Sequence, residues 1–328
     1  MSTSSGMNIL IVVVRYKTPL EQSITLRSLA EAFSCHPELM EAFGAVLWDN
    51  SPERLVDPQL SFPIDYVFSE KNLGVSGAYN HASGYAEANG YDWLLLLDQD
   101  TAVTADYFQR MLRHVRQSEA DQRIATVVPF VRSHGVLVSP RKFGRWIRNH
   151  QIPRSTSGIY MEDAYAVNSG TVMRVSALRS VGGYSEEFWL DLSDAYIFQA
   201  LYRHGKRMFI AGDVELAHSV ASMDFDQHMS PERYCSFLAA ENSYVSIYRS
   251  GMVNLVQTGW LLARAARQYR RYQNKEFARI TLRFLWQRVF WSRTVRLAKW
   301  KEILESKRNI PTIAGEGVVD TIQETDER

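Results

Sequence analysis

The most constraining feature of the sequence is a short apolar run, Trp93 to Leu97, followed at once by Asp98, Gln99 and Asp100. The run is too short to span a membrane, and it is typical of a strand buried on both faces at the centre of a parallel sheet. Ligands of parallel sheets bind at the carboxyl ends of the strands. The two carboxylates are therefore candidates to bind one hard cation and its diphosphate. The alternative is a plain turn in which a strand-end aspartate caps the backbone.

Composition indicates a globular protein made in a reducing compartment. The chain has 328 residues, 46% of them hydrophobic, which is enough for one large domain with an appendage. Cys35 and Cys235 lie far apart without a cysteine or histidine cluster, which argues against a disulfide framework and a zinc site. The first residues lack the marks of a signal peptide, and no window reaches the ~18 apolar residues of a membrane helix. We expect a cytoplasmic protein.

Positive charge is concentrated near the end of the chain. Between Leu261 and Lys301 there are twelve lysines and arginines and a single acidic residue, Glu276, whereas the remainder carries 25 basic and 35 acidic residues. This segregation predicts a partner for the basic segment. An anionic membrane surface is slightly preferred. A dimer interface or a solvated helical face is the alternative, and nucleic acid is disfavoured because the remainder is acidic and no binding motif is present.

Strand and helix signals alternate through the first half of the chain, which predicts βαβ units and a parallel sheet covered on both faces. Thr18 is predicted to cap the first helix, and Thr104 the helix after the central strand. From about 132 to 160, glycines and prolines break the pattern and predict a structureless loop, which is interpreted as a substrate-binding lid with plain disorder as the alternative. Residues 165–175 are predicted to form a strand. The other predicted strands include Ile9–Val14, Ala45–Trp48, Ile64–Phe68, Trp93–Leu97 and Ile124–Val128.

Short motifs in a fixed order then give the chain a family likeness. The motifs are Asp49-Asn50-Ser51, Asn72-x-Gly74 with Asn80, Asp98-Gln99-Asp100, Asn168-Ser169-Gly170, Gly182-Gly183-Tyr184, Leu190-Asp191-Leu192-Ser193-Asp194, and His218. This ordered set, from Ile9 to Ser219, resembles the family 2 glycosyltransferases of GT-A fold, especially bacterial rhamnosyltransferases of surface-polysaccharide biosynthesis. In two places the chain departs from the family pattern: it has Arg15-Tyr16-Lys17 where the first strand usually runs into Thr-Tyr-Asn, and it lacks the Glu-Asp pair of many members.

The resemblance implies a fold and a division of the chain. The expected fold class is α/β, with a GT-A type, Rossmann-like, mixed and mainly parallel sheet flanked by helices and followed by a helical extension. The implied division is a disordered tail at 1–8, a catalytic domain at 9–232, a basic helical region at 233–304 and a flexible acidic tail at 305–328.

The resemblance also implies roles for individual residues. A divalent cation, Mg²⁺ or Mn²⁺, would be bound by Asp98, Asp100 and His218, where an imidazole ligand leans towards Mn²⁺. The residues expected to bind the acceptor are Asn168, Ser169, Gly170, Tyr184 and Trp189. The residues expected to bind the nucleotide sugar are Tyr16, Asp49, Asn50, Asn72, Gly74, Asn80, Asp98 and Gln99.

For several of these residues a purely structural role is the alternative. Asp49 is expected to accept the imide N–H of a uracil or thymine base, but Asp-Asn-Ser-Pro also makes an Asx turn. A lone histidine such as His218 is often a hydrogen-bonded core residue. Asp191 is preferred over Asp194 as the general base, and either aspartate is also suited to cap the following helix.

These expectations combine into one functional hypothesis. The chain is predicted to be an inverting, metal-dependent glycosyltransferase that moves L-rhamnose from a dTDP donor to a saccharide, free or lipid-linked, in surface-polysaccharide synthesis such as that of the O-antigen of lipopolysaccharide. A UDP-hexose donor is the nearest alternative. A sugar-1-phosphate nucleotidyltransferase would need a glycine-rich loop after the first strand, and residues 15–21 have no glycine. A non-catalytic assembly partner that binds nucleotide sugars is the third possibility.

Overall fold

The computed structural model describes residues 8–56, 58–144, 149–218, 229–306 and 319–321. Apart from Asn8, the predicted tail at 1–8 lies outside the described residues, as does most of the predicted tail at 305–328. The predicted division into domains stays a prediction. Within the second tail, the short strand Val319–Thr321 pairs in antiparallel fashion with Asp65–Phe68.

Thirteen strands are present in the described part of the chain. Ten of them form one large sheet, and three form a small second sheet. The strands are β1 (Ile9–Arg15), β2 (Phe43–Asp49), β3 (Asp65–Phe68), β4 (Trp93–Asp98), β5 (Ile124–Ser133), β6 (Val136–Ser139), β7 (Arg141–Lys142), β8 (His150–Gln151), β9 (Gly158–Tyr160), β10 (Ala164–Tyr165), β11 (Val172–Arg174), β12 (Arg207–Ala217) and β13 (Val319–Thr321).

The large sheet has the order β13-β3-β2-β1-β4-β11-β5-β12-β9, with β6 hydrogen-bonded to β5. The pairs β1–β2, β1–β4, β2–β3 and β5–β12 are parallel, whereas β11 is antiparallel to both β4 and β5. All five apolar side chains of β4 are 0% exposed, as expected of a strand covered on both faces. A mixed, mostly parallel sheet flanked by helices, with a helical region after it, confirms the predicted fold class and is consistent with a GT-A fold.

Nine α-helices lie within the described residues. Helices α1 to α5 belong to the sheet domain, and α6 to α9 form the C-terminal helical region. The helices are α1 (Ile24–Cys35), α2 (Gly74–Ala88), α3 (Ala105–Ser118), α4 (Val175–Ser180), α5 (Ser193–Arg203), α6 (Pro231–Tyr248), α7 (Gly251–Arg271), α8 (Glu276–Phe290) and α9 (Arg293–Glu305).

One of the two predicted helix caps is correct. Thr104 caps α3, because its hydroxyl accepts a hydrogen bond from the backbone N–H of Tyr107. The prediction for Thr18 is wrong: a short 3₁₀ turn follows it, and α1 begins only after Ser23, whose hydroxyl accepts from Leu26 N at 3.2 Å. Thr18 instead offers its carbonyl oxygen to Arg15 Nε at 2.7 Å.

The structure corrects the prediction of a structureless loop at 132–160. Strand β5 runs as far as Ser133 and turns into β6, while β7 and β8 pair with each other and β7 also pairs with β10. Residues 145–148 of this segment lie outside the described part. The strand predicted at 165–175 is also too long, since the residues after β10 form the Asn168–Gly170 turn before β11, and Val175 already begins α4. Because both strands are short, apolar periodicity alone could not separate them.

The C-terminal helices enclose a core of their own against the sheet domain. Trp300 is 0% exposed, stacks on Phe284 with ring centroids 5.8 Å apart, and donates from Nε1 to Gln287. Buried hydroxyls of Tyr234 and Thr281 are hydrogen-bonded to each other across α6 and α8. Of the helices described, none combines the length and the apolar character that crossing a bilayer requires.

Candidate active site

A cavity of about 960 Å³ opens at the carboxyl ends of β1 and β4 and extends along α6 and α7. It collects most of the residues singled out in the sequence, which supports a common site at the sheet edge. Five predicted residues do not line it, namely Asp49, Asn80, Ser169, Gly170 and Tyr184. The predicted residues that line it are Tyr16, Asn50, Asn72, Gly74, Asp98, Gln99, Asp100, Asn168, Trp189, Asp191, Asp194 and His218.

Three potential metal ligands meet in this cavity. One ligand atom from each of Asp98, Asp100 and His218 lies within 4.8 Å of the others. His218 Nε2 is 3.7 Å from Asp98 Oδ2, and His218 Nδ1 is 3.5 Å from Asp100 Oδ1. Asp100 Oδ1 is buried without a hydrogen-bond partner among the described residues. Two carboxylates, one of them with an unpartnered buried oxygen, and an imidazole fit a divalent cation.

The surroundings of Asp98 show why this cluster favours a cation. Burial raises the pKa of Asp98 most, and the nearby negative charge of Asp100 raises it further, while His218 lowers it. The hydroxyl of Tyr79 donates to Asp98 Oδ1 at 3.1 Å. Two adjacent carboxylates that are only partly exposed to solvent repel each other, and a bound cation would relieve that repulsion.

Asn50 and Asn72, two of the residues predicted to bind the nucleotide sugar, hold the loop that begins α2. Asn50 Nδ2 donates to the Gly74 carbonyl at 3.0 Å, and Asn72 Oδ1 accepts from Gly74 N at 3.0 Å. Gly74 has a φ of 64°, and a Cβ at this position would overlap the Trp189 carbonyl oxygen, so only glycine fits. Gln99 is held as well, because its side-chain oxygen accepts from Tyr16 N at 2.8 Å.

Asp49 has protein partners at both carboxylate oxygens. Arg15 Nη1 lies 2.6 Å from Asp49 Oδ2, the hydroxyl of Tyr66 donates to the same oxygen, and Ser51 N donates to Oδ1. The residue is 0% exposed. Its contact with a nucleotide base therefore stays a prediction, and the structure gives it a partner that sequence reasoning missed. The sequence contained an indication of this ion pair, because Arg15 departs from the family pattern at the end of the first strand. In the structure Arg15 ends β1 directly beside Asp49 at the end of β2.

The two candidate bases have very different partners. Asp191 forms a bidentate ion pair with Arg233 of α6, with Nη2 and Oδ1 2.6 Å apart. Asp194 forms no ion pair among the described residues, and its Oδ1 accepts only from Ala195 N at 2.7 Å. Burial, followed by the negative charges of Asp191 and Asp98, raises the pKa of Asp194 to about 6. A carboxylate with a pKa near neutrality and no counter-ion is suited to accept a proton.

The predicted acceptor residues divide into two groups. Asn168 lines the cavity and bonds to Ser193 and to the hydroxyl of Tyr184, while Trp189 lines the cavity directly. Ser169, Gly170 and Tyr184 lie behind the wall. Ser169 Oγ accepts from Asp98 N at 2.9 Å and so supports the backbone of a candidate metal ligand, while its role towards an acceptor stays a prediction.

Asn80, predicted to bind the donor, clamps the backbone of a neighbouring loop instead. Its side-chain amide makes two hydrogen bonds to Tyr184, donating to the carbonyl oxygen at 2.9 Å and accepting from the N–H at 2.7 Å. With both ends of the amide used, the predicted role of Asn80 towards a sugar nucleotide stays a prediction.

The fold and this site together define a class, an α/β protein with a carboxylate and histidine cluster at the strand ends of a GT-A type sheet. Residues 25–182 match the family model for glycosyl transferase family 2. That segment, just under half of the chain, contains Asp98 and Asp100 and ends before Asp191. No curated protein matches the chain. The family match supports a glycosyltransferase.

The raised pKa of Asp194 predicts a dependence of stability on pH. Because the charged form is disfavoured in the folded state, the contribution of this group is fully present below about pH 4 and is lost as the pH rises through about 6. We expect a loss of up to ~3 kcal/mol in the free energy of unfolding between these limits. Urea unfolding of Asp194→Asn should lack this component. The exposed Asp92→Asn serves as control, and an unchanged profile in Asp194→Asn would contradict the assignment.

Proposed function

We propose that the protein is a metal-dependent, inverting glycosyltransferase that takes its sugar from a nucleoside diphosphate donor. The observation that carries this proposal is the convergence of Asp98, Asp100 and His218 at the strand ends in one cavity, with Asp98 and Asp100 inside the segment that matches the family. A divalent cation bound there would neutralise the negative charge that develops on the departing diphosphate.

We assign the proton transfer and the positioning of the donor to side chains that line the cavity or support its wall. Asp194 accepts the proton of the acceptor hydroxyl as that oxygen attacks the anomeric carbon from the face opposite the diphosphate, which inverts the configuration. This reverses the order of preference between the two aspartates. The bidentate contact with Arg233 occupies both oxygens of Asp191, so Asp191 acts by holding the Leu190–Ser193 turn that carries Asp194. Asn50, Asn72 and Gln99 fix the loops around the donor.

More specifically, the proposed reaction is the transfer of L-rhamnose from dTDP-rhamnose during the synthesis of a bacterial surface polysaccharide. It is supported by the likeness of Asp98-Gln99-Asp100 and of the Leu190 to Asp194 motif to rhamnosyltransferases. A UDP-hexose donor remains the alternative. A nucleotidyltransferase is less well supported, because the turn after β1 has no glycine. A non-catalytic binding partner is less well supported because Asp194 keeps a base-like environment.

Contact with a membrane is the proposal for the basic helices. Leu282, Trp286, Val289 and Phe290 are exposed at helical spacing on the face of α8 opposite its buried residues, and the exposed Arg279 shares that face. Aromatic and basic side chains together suit the anionic surface of the cytoplasmic leaflet, where a lipid-linked acceptor would lie. A two-fold dimer through this face would bring the same positive charges together, so a second copy of the chain is the less favoured partner for this face.

The donor site is tested by calorimetric titration with dTDP, UDP and GDP, each in the presence of Mn²⁺ and of a chelator. We expect dTDP to bind with metal, to lose at least ~10-fold in affinity with chelator, and to behave likewise in Asp100→Ala, since that substitution removes a metal ligand. The exposed Asp106→Ala is the matched control. Failure of every nucleotide to bind would refute the proposed donor site.

The base is tested by turnover of dTDP-rhamnose with candidate saccharide acceptors. Asp194→Asn should lower kcat by ~10² to 10⁴ while dTDP affinity is unchanged, because a general base contributes about that much. The wild-type rate should fall below a pH of about 6, where Asp194 becomes protonated. A larger loss in Asp191→Asn, with folding intact, would restore Asp191 as the base.

Membrane contact is tested by sedimentation with vesicles of phosphatidylcholine alone or with phosphatidylglycerol added. We expect binding only to the anionic vesicles, and a reduction of about tenfold in Arg279→Glu combined with Trp286→Ser. Arg116→Glu, an exposed change on α3, should leave binding unchanged. Equal binding of all three proteins would exclude this face as the contact.

A further inference from the structure

The cavity continues beyond the metal cluster to a part of its wall that carries two arginines. Arg141 comes from β7, and Arg249 follows α6; both side chains line the cavity and are half-buried. The Arg249 guanidinium lies between two aromatic rings, 4.6 Å from the centroid of Phe143 and 5.8 Å from that of Tyr244. Such stacking fixes the guanidinium while leaving its N–H groups free to bond.

Neither guanidinium has a carboxylate within ion-pair distance among the described residues. Among the described residues, Arg141 and Arg249 form no ion pair, and the only side-chain hydrogen bond of the two is from Arg141 Nη2 to the Asn149 carbonyl at 2.9 Å. Arg233, in the same cavity, contrasts with them because it is paired to Asp191. Partial burial of a cation without a counter-ion is costly, so an anion from outside the chain is the natural partner.

The two arginines and the proposed base, Asp194, line the same cavity. Asn149 links Arg141 to Tyr165, because its carbonyl accepts from Arg141 and its Nδ2 donates to the Tyr165 hydroxyl at 3.0 Å. Burial and then the charge of Asp194 raise the pKa of Tyr165, whereas Arg141 and Arg249 both act to lower it. Arg249 adjoins the same tyrosine, because the Phe143 ring under its guanidinium packs on Tyr165 with ring centroids 4.8 Å apart. Both arginines therefore border Tyr165 in the cavity that Asp194 also lines. Arg249 also acts to lower the pKa of Asp163, which burial raises.

The cavity wall also contains a buried polar atom that has no hydrogen-bond partner among the described residues. Gln257 of α7 is 0% exposed and lines the cavity. Its Nε2 donates to Glu241, which is itself paired with Arg264, but its Oε1 has no hydrogen-bond partner among the described residues. A buried carbonyl oxygen of this kind is normally satisfied, and the hydroxyl of a bound saccharide would supply the missing donor.

We propose that Arg141 and Arg249 form a subsite for a phosphate group, single or as a diphosphate, carried by the acceptor. Each guanidinium group can donate two parallel hydrogen bonds to oxygens of a phosphate group. The subsite is distinct from the metal cluster, which takes the diphosphate of the donor. The phosphate comes either from a lipid carrier or from a phosphorylated sugar. This inference rests on the proposed glycosyltransferase function and narrows its acceptor to an anionic molecule.

The test is calorimetric titration of the full chain, loaded with Mn²⁺ and excess dTDP, with geranyl phosphate and with glucose 6-phosphate. Geraniol and glucose are the neutral counterparts. We expect at least one phosphate to bind and its neutral counterpart not to bind. Arg141→Gln and Arg249→Gln should each weaken phosphate binding about 10-fold or more, since a charge-assisted hydrogen bond is lost. Tighter binding of geranyl phosphate points to a lipid carrier, and tighter binding of glucose 6-phosphate to a phosphorylated sugar.

Controls separate the subsite from the donor site and from folding. Arg203→Gln removes an exposed arginine that lies over the Tyr248 ring outside the cavity, and should bind phosphate as the wild type does. Arg249→Lys should recover part of the affinity, and dTDP affinity should be unchanged in all four variants. Absence of phosphate binding while dTDP binds would overturn the subsite and leave the glycosyltransferase proposal standing. Loss of phosphate binding in Asp100→Ala would also overturn it, because the phosphate would then lie on the metal.

Discussion

A buried chain of hydroxyl groups connects two of the candidate metal ligands, Asp98 and His218. Asp98 N donates to Ser169 Oγ, which lies 2.6 Å from Thr101 Oγ1, and Thr101 Oγ1 in turn lies 3.0 Å from His218 Nδ1. Thr25 of α1 bonds to both the N–H and the carbonyl of Thr101. Ligands that are more than a hundred positions apart in the chain are thus fixed by one network, which leaves His218 Nε2 facing Asp98. Outer hydrogen bonds of this kind orient metal ligands and set their tautomer.

A second contact ties the catalytic region to the helices that follow it. Arg233 is in the first turn of α6, yet it binds Asp191 in the turn before α5. Leu192 in that turn has a φ of 62°, a left-handed conformation that a side chain adopts at some cost. The ion pair therefore holds a strained turn in place, and Asp194 depends for its position on a helix outside the matched family segment. The C-terminal helices also supply Arg249 and Gln257, so they complete the cavity as well as covering the sheet.

Sequence reasoning reached the features that local pattern encodes. Five consecutive apolar residues were enough to predict β4. Asp98 and Asp100 at its end indicated a ligand site only together with the other motifs in the chain, and that site stays a prediction. Sequence reasoning failed where tertiary contacts decide. Asp191 and Asp194 have similar local sequence, and only the docking of α6 shows that one has a guanidinium partner and the other none. Ser23 caps α1 in place of Thr18, because the Thr18 carbonyl accepts from Arg15 and a 3₁₀ turn occupies Leu20–Gln22. A capping motif in the sequence does not reveal such contacts.

The clamp between Asn80 and Tyr184 has a consequence for how such a sequence can change over time. The Asn80 amide bonds to the backbone of Tyr184 as a neighbouring strand would, and a Cβ on Gly183 would press against its side-chain oxygen. Gly183 also has a φ of 74°, which favours glycine on its own account. Neither position is free to vary alone, so Asn80 and Gly183 should be inherited as a pair, even though they lie about a hundred residues apart and neither lines the cavity.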